Sequence, residues 1–365
     1  MLLCALFVLF HLFGEFYSVF GASCGCSSLV IPVHVDVLVP KDPMDEFAGL
    51  KSNASDLRRV DDIYDIHGVF CRPDRGSLQN PSVIQLLVHG FSYTSQYWSP
   101  PVEEFRNYSY AAFSCARGLP SLAVDWLGVG LSTRPVNASD VQYPTVAGAV
   151  SQVAIHLKTA SILPGVPPFR KVIGIGHSAG SGALTFNAIV DGARSPFDAL
   201  ILTGDINLGA GNMLPPLSIV TPARDDTPLR WGNIDPGYVT WRNRSIFYPA
   251  DPTAFSPRML EFDGFTKDVA TASMFVQTAG LSTFTVQQYT GPVVKIVGSE
   301  DQVLCATDRC GDVAALTASE RVRWPKARSF EVAVEQGSGH DPNLDFKAQG
   351  PFNTFVGFVN QFSSL

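Results

Sequence analysis

Charged residues are scarce in this chain. They make up 16% of its 365 residues, and the 26 Lys and Arg are outnumbered by 33 Asp and Glu. The sequence has no run of basic residues and its formal net charge is −7, so nucleic acid is not an expected partner. Hydrophobic residues make up 46%, which argues against a disordered chain and suffices for one large core or two small domains.

Long apolar runs are missing everywhere except at the start. Residues 2–10 are all apolar, the apolar character continues to Phe20, and small residues follow from Gly21. Although no Lys or Arg stands near Met1, this pattern is typical of a signal peptide. We expect cleavage of residues 1–22 and export to the secretory lumen or beyond, without a stable membrane span. An uncleaved anchor and a buried N-terminal helix are the alternatives.

Zinc-finger spacing is also absent, because Cys24-Gly-Cys26 is too tight and no matching Cys or His pair follows. We expect neither a metal nor an organic cofactor. The even number of cysteines after residue 22 predicts disulfides, although free buried thiols would also fit. The pairing stays open, with Cys305 and Cys310 near enough to close a small loop. These six cysteines are Cys24, Cys26, Cys71, Cys115, Cys305 and Cys310.

Four Asn-x-Ser tripeptides favour a eukaryotic secretory route. One such tripeptide is weak evidence, but four beside an apolar start and paired cysteines reinforce each other. The predicted glycosylation sites are Asn53, Asn107, Asn137 and Asn243.

Strand-like and helix-like segments alternate along the chain. Apolar alternation at 29–39, and short aliphatic runs after it, predict eight strands. Helix-like stretches separate several of them, so we expect a mostly parallel sheet with right-handed crossovers, flanked by helices. The predicted strands are 29–39, 63–71, 83–88, 121–125, 171–176, 199–204, 293–298 and 330–334; the clearest helices are 147–162, 179–190 and 352–362.

One long segment breaks this alternation. Residues 205–289 are rich in proline and aromatic residues, and a structureless loop of that length is unusual in a compact domain. We therefore predict a cap at 205–289, inserted between a first core segment at 23–204 and a second at 290–365.

The chemistry is concentrated in Gly176-His-Ser178-Ala-Gly180. This G-x-S-x-G pattern follows an apolar strand and precedes a helix-like stretch, the context in which a serine nucleophile sits on a sharp turn. Small neighbours are needed there because the backbone is crowded. The alternative is a glycine-rich turn without chemistry.

With this motif the mature chain resembles the α/β-hydrolase family over almost its whole length. Val88-His-Gly-Phe91 is similar to that family's HG segment. The resemblance implies an oxyanion hole formed by the backbone N–H groups of Phe91 and Ala179, with His89 bracing the loop. The sequence from Asp125 to Ser132 resembles the family's D-x-x-G-x-G-x-S turn, which we interpret as architectural.

The same resemblance places the base late in the chain, in the order Ser, acid, His. Among seven histidines, only His340 lies beyond Ser178. Asp301 directly follows the strand at 293–298, where the family keeps the acid that orients the imidazole. Glu300 and Asp205 are the alternatives for that acid.

The resemblance thus implies a serine hydrolase that cleaves a carboxylic ester or lactone of a small molecule through Ser178, His340 and Asp301. Aromatic residues in the cap favour an apolar or aromatic substrate, although ordinary cap packing explains them equally well. Three other functions stay open: an epoxide or natural-product hydrolase, an aminopeptidase-like amide hydrolase, and a non-catalytic binding protein. Oligomeric state is not indicated.

Overall fold

A computed structural model describes residues 16–19, 22–73, 82–163, 165–206, 219–305 and 309–364. The twelve strands in these ranges are β1 Phe16–Val19, β2 Ala22–Pro40, β3 Leu57–Pro73, β4 Val83–Val88, β5 Ser121–Val124, β6 Lys171–His177, β7 Ala199–Thr203, β8 Val220–Pro222, β9 Tyr238–Trp241, β10 Ala270–Thr271, β11 Val293–Gly298 and β12 Phe330–Glu335. The α-helices are α1 Tyr110–Cys115, α2 Tyr143–Thr159, α3 Ala179–Asp191, α4 Ala223–Asp226, α5 Pro228–Trp231, α6 Pro257–Thr266, α7 Ala272–Leu281, α8 Val313–Arg321 and α9 Gln349–Ser364.

A large twisted sheet forms the centre of the molecule, in the order β1-β2-β3-β5-β4-β6-β7-β11-β12. Strands β1, β2, β3 and β5 pair antiparallel. Every pair from β5 through β4, β6, β7 and β11 to β12 is parallel. Strands β4, β5, β6, β7 and β11 are buried along almost their whole length, as expected of parallel strands covered by helices on both faces.

The predicted α/β architecture is confirmed. All eight predicted strands are present in the large sheet, and the short β1 adds a ninth at the edge beside β2. Strand β1 falls inside the segment predicted to be removed as a signal peptide, so the eight remaining strands correspond to the mature chain of that prediction. The predicted helices correspond to α2, α3 and α9.

The carboxyl ends of the parallel strands position the candidate site. Strand β6 ends one residue before Ser178, β4 ends at Val88 just before the Phe91 loop, and β11 ends three residues before Asp301. Because parallel strands present their carboxyl ends at one edge of the sheet, these loops meet there.

The segment predicted as a cap carries secondary structure of its own between β7 and β11. Its described part holds a small antiparallel sheet in the order β10-β9-β8 and the helices α4 to α7. Residues 207–218 of this segment lie outside the described part of the chain.

All six predicted cysteines are disulfide-bonded, as Cys24–Cys115, Cys26–Cys71 and Cys305–Cys310. The four predicted glycosylation sites, Asn53, Asn107, Asn137 and Asn243, are all exposed. Among the described helices, none has the length and apolar composition needed to cross a bilayer.

Candidate active site

Ser178 sits on a strained turn between β6 and α3. Its backbone has φ 50° and ψ −118°, a combination that non-glycine residues rarely adopt. The flanking glycines are sterically required, since a Cβ on Gly176 would lie 2.6 Å from the backbone nitrogen of Ser181, and one on Gly180 would collide with the carbonyl oxygen of His89. This geometry lifts the Ser178 side chain above the sheet edge, at the N-terminus of a 13-residue helix.

Ser178, His340 and Asp301 form one hydrogen-bonded chain. The Ser178 Oγ lies 2.9 Å from Nε2 of His340, and Nδ1 of His340 lies 2.8 Å from Oδ2 of Asp301. The other Asp301 oxygen accepts the backbone N–H groups of Val303 and Leu304, each at 2.8 Å. Asp301 is therefore fixed in the orientation that holds a proton on Nδ1 and leaves Nε2 free to accept one.

Neither alternative acid reaches the imidazole. Glu300 is exposed, and the Asp205 carboxylate pairs instead with Lys295 at 3.1 Å. The bridge between Cys305 and Cys310 closes the chain just after Asp301, and the Cys305 N–H donates to the Asp301 carbonyl at 2.8 Å.

The environment of His340 favours its charged form. Burial by itself lowers the pKa of this imidazole, but the charge and hydrogen bond of Asp301, with a further contribution from the charge of Asp341, outweigh it and leave the pKa raised. An imidazole so placed is a better proton acceptor than a free one.

Two backbone amides stand beside Ser178. Phe91 and Ala179 line the same cavity as its hydroxyl, and within the described part of the chain neither backbone N–H has a hydrogen-bond acceptor. The loop holding Phe91 approaches closely, because a Cβ added to Gly90 would lie 3.1 Å from the Cβ of Ser178. Free N–H groups at this position can stabilise an oxyanion.

His89 and Asp125 support these loops from below. The buried His89 bonds the Gly90 carbonyl oxygen at 2.9 Å and the Trp126 N–H at 3.2 Å, and burial lowers its pKa to about 4, so it is neutral at physiological pH. Asp125 accepts hydrogen bonds from His67, from the Ser95 N–H and from the Leu131 N–H. Both residues are too occupied by the scaffold to act on a substrate.

The cleft next to Ser178 has two sides. We call the first the aromatic pocket; it is an open space of about 410 Å³. Its apolar walls are Phe91, Tyr93, Trp241, Phe247 and Phe275, of which the last three come from the segment predicted as a cap.

We call the second side the polar pocket, an open space of about 470 Å³. It also reaches Ser178 and His340, but its walls include Thr185, Asp205, Ser282 and Arg323. A molecule with unlike halves could therefore place its central carbonyl at Ser178 with one half in each pocket.

A second buried carboxylate close to His340, that of Asp341, was not predicted from the sequence. Its Oδ1 lies 2.7 Å from Nε2 of His177, and its Oδ2 accepts the Tyr93 hydroxyl. The hydrogen bond from His177 lowers the pKa of Asp341 against the effect of burial, and burial lowers the pKa of His177, so an anionic carboxylate meets a neutral imidazole. Thr203 satisfies the other His177 nitrogen at 3.0 Å.

A buried ion pair from the predicted cap, Arg244 with Asp263, was also missed. Arg244 lies 2.9 Å from Asp263 and donates to Ser92 Oγ at 2.6 Å. Asp263 also accepts from the Tyr93 hydroxyl at 3.1 Å. Tyr93 thereby links this ion pair to Asp341, and so joins the segment predicted as a cap to the loop that carries His340.

One group of side chains has the spacing of a metal site. The ligand atoms of His177, His340 and Asp341 lie within 4.8 Å of one another. However, both nitrogens of each histidine and both oxygens of Asp341 already have hydrogen-bond partners, so the group fits a hydrogen-bond network better than a cation.

The family model described as "Alpha/beta hydrolase family" matches residues 85–349 of this chain. Among solved structures, similar chains include an esterase from Exiguobacterium antarcticum (TM-score 0.54, 16% identity, covering 81% of this chain and 96% of that one). A second is a peroxisomal alpha-beta-hydrolase from Saccharomyces cerevisiae (TM-score 0.53, 15% identity, covering 92% of this chain and 89% of that one). A third is an epoxide hydrolase from Vigna radiata (TM-score 0.50, 16% identity, covering 82% of this chain and 95% of that one). A search of curated protein sequences found no match.

Proposed function

We propose that this chain, which belongs to the alpha/beta hydrolase family and is therefore a hydrolase, is a secreted serine hydrolase of carboxylic esters or lactones. The observation that carries the proposal is the continuous hydrogen-bonded chain from Ser178 through His340 to Asp301, with Ser178 on a strained turn. That arrangement is the one that activates a serine hydroxyl.

In the proposed reaction the Ser178 Oγ attacks the substrate carbonyl while Nε2 of His340 takes the hydroxyl proton. The carbonyl oxygen becomes an anion, which accepts hydrogen bonds from the Phe91 and Ala179 N–H groups. His340 then gives its proton to the departing alcohol oxygen, and an acyl-enzyme remains on Ser178. Water, deprotonated by His340, then attacks this ester. As the bond between the acyl carbon and Ser178 Oγ breaks, His340 returns the proton to Oγ, which releases the acid and the free serine.

The aromatic pocket supports an apolar or aromatic substrate. Phe91, Trp241 and Phe275 contact one another edge to face at ring-centroid distances of 5.5–6.5 Å, and such walls bind rings and alkyl chains by burial and quadrupole contacts. The serine at position 178 weighs against epoxide opening, since the family resemblance implies an Asp nucleophile for that class of reaction.

A panel of p-nitrophenyl esters of rising acyl length, run beside lactones, epoxides and aminoacyl amides, tests the proposal. We expect turnover of esters or lactones by the wild-type protein, and loss of at least about a thousandfold in kcat for Ser178→Ala. Turnover that survives Ser178→Ala, or turnover of epoxides or amides alone, would overturn the proposal. A folded protein inert toward the whole panel would favour the non-catalytic binding function.

The secretory part of the proposal rests on three disulfides and on the exposure of the four predicted sequon asparagines. Expression in a eukaryotic secreting cell should deliver the protein to the medium with an N-terminus near residues 21–23, and endoglycosidase treatment should lower its mass. Intracellular retention with residues 1–22 still attached would contradict export.

A further inference from the structure

A charged cluster lies beneath the polar pocket, in the parallel part of the sheet. The Nζ of Lys295, at the middle of β11, lies 3.1 Å from Oδ2 of Asp205 and 2.7 Å from Oε2 of Glu320. Arg323 completes the cluster at 3.3 Å from Glu320. The Lys295 side chain has no exposure, and a lysine at such a position costs free energy that an aliphatic residue would avoid.

Two members of this cluster, Asp205 and Arg323, line the polar pocket. The side chains of Lys295 and Glu320 are fully buried, and Arg323 donates to the backbone oxygens of Phe284 and Leu281. Oδ2 of Asp205 is closed off against Lys295, so the 15% of this side chain that is exposed belongs to its other atoms, at the wall of the polar pocket. Lys295 thus holds one oxygen of a carboxylate whose other atoms form part of the wall of the polar pocket.

A second polar group on this wall has no partner. Thr185 is 2% exposed and lines the polar pocket, yet within the described residues its Oγ1 makes no hydrogen bond. It lies on α3, which begins directly after Ser178, and both residues line this pocket. A buried hydroxyl without a partner is destabilising. Because Oγ1 of Thr185 is itself closed off from the pocket, a ligand group would remove that cost once the side chain turns toward the pocket.

The charge of the cluster indicates the class of group that binds. Two carboxylates, Asp205 and Glu320, face two cations, Lys295 and Arg323, so the cluster is formally neutral. An ammonium or a carboxylate on the ligand would leave one buried charge uncompensated. An uncharged hydrogen-bond donor, above all a hydroxyl, satisfies Asp205 without this penalty.

We infer that the polar pocket binds a hydroxyl group of the substrate, with Asp205 accepting its hydrogen bond and Thr185 completing the site. The inference rests on the proposed function, which it deepens. The preferred substrate is an ester with an aromatic or apolar half for the aromatic pocket and a hydroxylated half for the polar pocket.

Two matched pairs of esters test this preference and report which half carries the hydroxyl. In the first pair, glyceryl phenylacetate carries hydroxyls on its alcohol half and propyl phenylacetate does not. In the second pair, phenyl lactate carries a hydroxyl on its acyl half and phenyl propionate does not. For wild-type protein we expect at least about tenfold higher kcat/KM for the hydroxylated member of at least one pair. Equal kcat/KM within both pairs would overturn the inference.

Two variants tie the preference to the pocket. Thr185→Val and Asp205→Asn should each lower kcat/KM for the hydroxylated ester more than for the plain ester, and so bring the ratio of the two toward one. If these residues had only a structural role, kcat/KM would fall equally for both esters, and this result would contradict the inference. A ratio that stays at the wild-type value would contradict it as well. Thr185→Val leaves the ion pair with Lys295 intact, so the test stands even if Asp205→Asn fails to fold. Asp225→Asn is the matched control and should keep the wild-type ratio, because Asp225 is an exposed carboxylate that pairs, among the described residues, with Arg224.

Binding to the Ser178→Ala protein separates this inference from the proposed function. Calorimetric titration of that variant with the four esters measures the preference without any turnover. Tighter binding of a hydroxylated ester supports the pocket even if the wild-type enzyme hydrolyses nothing, an outcome that would overturn only the proposed function. Ser178-dependent hydrolysis without a binding preference would overturn only the pocket.

Discussion

Two buried carboxylates act on His340 from different directions. Asp301 bonds Nδ1 directly, whereas Asp341 is bonded to His177 and Tyr93 and influences the imidazole through its charge. The first fixes which nitrogen of His340 carries the proton, and the second adds to the field that stabilises the imidazolium. Asp341 is therefore a positioning residue.

The Asp341→Asn variant tests this role. His340 must be neutral to take the Ser178 proton, so activity falls as pH drops through its raised pKa. Removing one negative charge lowers that pKa, and the acid limb of the kcat/KM profile should therefore move to lower pH. We expect kcat at neutral pH to fall as well, because the imidazolium is less stabilised.

A pH–rate profile of the variant, beside the Asp225→Asn control, provides the measurement. An acid limb that stays in place or moves to higher pH would show that Asp341 contributes packing alone.

At the level of the element, the turn around Ser178 depends on how closely α3 approaches β4. Gly180 packs against the backbone of His89, with no room for a side chain. The helix could accommodate a Cβ only by moving, and the Ser178 hydroxyl would move with it.

Gly180→Ala should therefore lower kcat/KM by about a hundredfold or more, since displacements near 1 Å are enough for that effect. Gly357→Ala in α9, where an added Cβ meets nothing within 4 Å, is the control and should leave the rate unchanged. Kinetics and thermal unfolding of both variants decide the matter: full activity in a well-folded Gly180→Ala protein would contradict the steric account.

The Asp125 turn should show its contribution to stability in acid. Burial raises the pKa of Asp125, but hydrogen bonds from His67, Ser95 and Leu131 lower it to about 2 from an ordinary 3.8. A lowered pKa gives stability that is complete above pH 3.8 and is lost as pH falls toward 2. The shift corresponds to about 2 kcal/mol.

Asp125→Asn should thus lower the free energy of unfolding by about 2 kcal/mol at pH 7, with the difference from wild type shrinking below pH 4. Denaturant unfolding of the variant and the wild-type protein, at pH 7 and at pH 2, measures this difference. A difference that is as large at pH 2 as at pH 7 would mean that the charge of Asp125 is not what stabilises the turn.

The sequence predicts elements better than their limits. The β-branched runs located all eight strands, because burial on both faces demands such residues. Strands β2 and β3 extend well beyond the predicted 29–39 and 63–71, since they pair with each other in one register from Cys24 opposite Pro73 to Pro40 opposite Leu57. Helix α2 begins at Tyr143 rather than 147 because the Gln142 N–H donates to Thr145 Oγ1 and starts the helix earlier.

For the site, local motifs singled out Ser178, His340 and Asp301, because each follows a strand at a family-like position. Asp341, Arg244 and Thr185 were not predicted, because their partners are set by which loops meet in the fold. One overlooked signal was readable: Lys295 interrupts an otherwise apolar strand, Val-Val-Lys-Ile-Val-Gly, which marks a buried charge in need of partners.

At the scale of the whole molecule, two long-range disulfides hold the antiparallel edge of the sheet, since Cys26–Cys71 joins β2 to β3 and Cys24–Cys115 joins β2 to the end of α1. Cys24–Cys115 and Cys26–Cys71 span 91 and 45 residues, whereas Cys305–Cys310 spans 5. Because stabilisation grows with the length of chain closed, the two long-range bridges should contribute about 4 kcal/mol each and the short one about 2 kcal/mol in the chain-entropy description.

Replacing each cysteine pair by serines should therefore lower the denaturation midpoint more for either long-range pair than for Cys305 and Cys310. Equilibrium unfolding of the three double variants measures the order. A larger loss for the short bridge would instead point to strain or disorder in the Asp301 loop as the main effect.

The central claim is that the Ser178 hydroxyl is a nucleophile activated by His340. Reaction with a fluorophosphonate, followed by digestion and mass analysis, tests it most directly. The account predicts that wild-type protein carries one added phosphonyl group on the peptide containing Ser178, that His340→Ala reacts far more slowly, and that Ser178→Ala is not labelled. A folded wild-type protein that stays unlabelled, or a label on another residue that persists in Ser178→Ala, would contradict it.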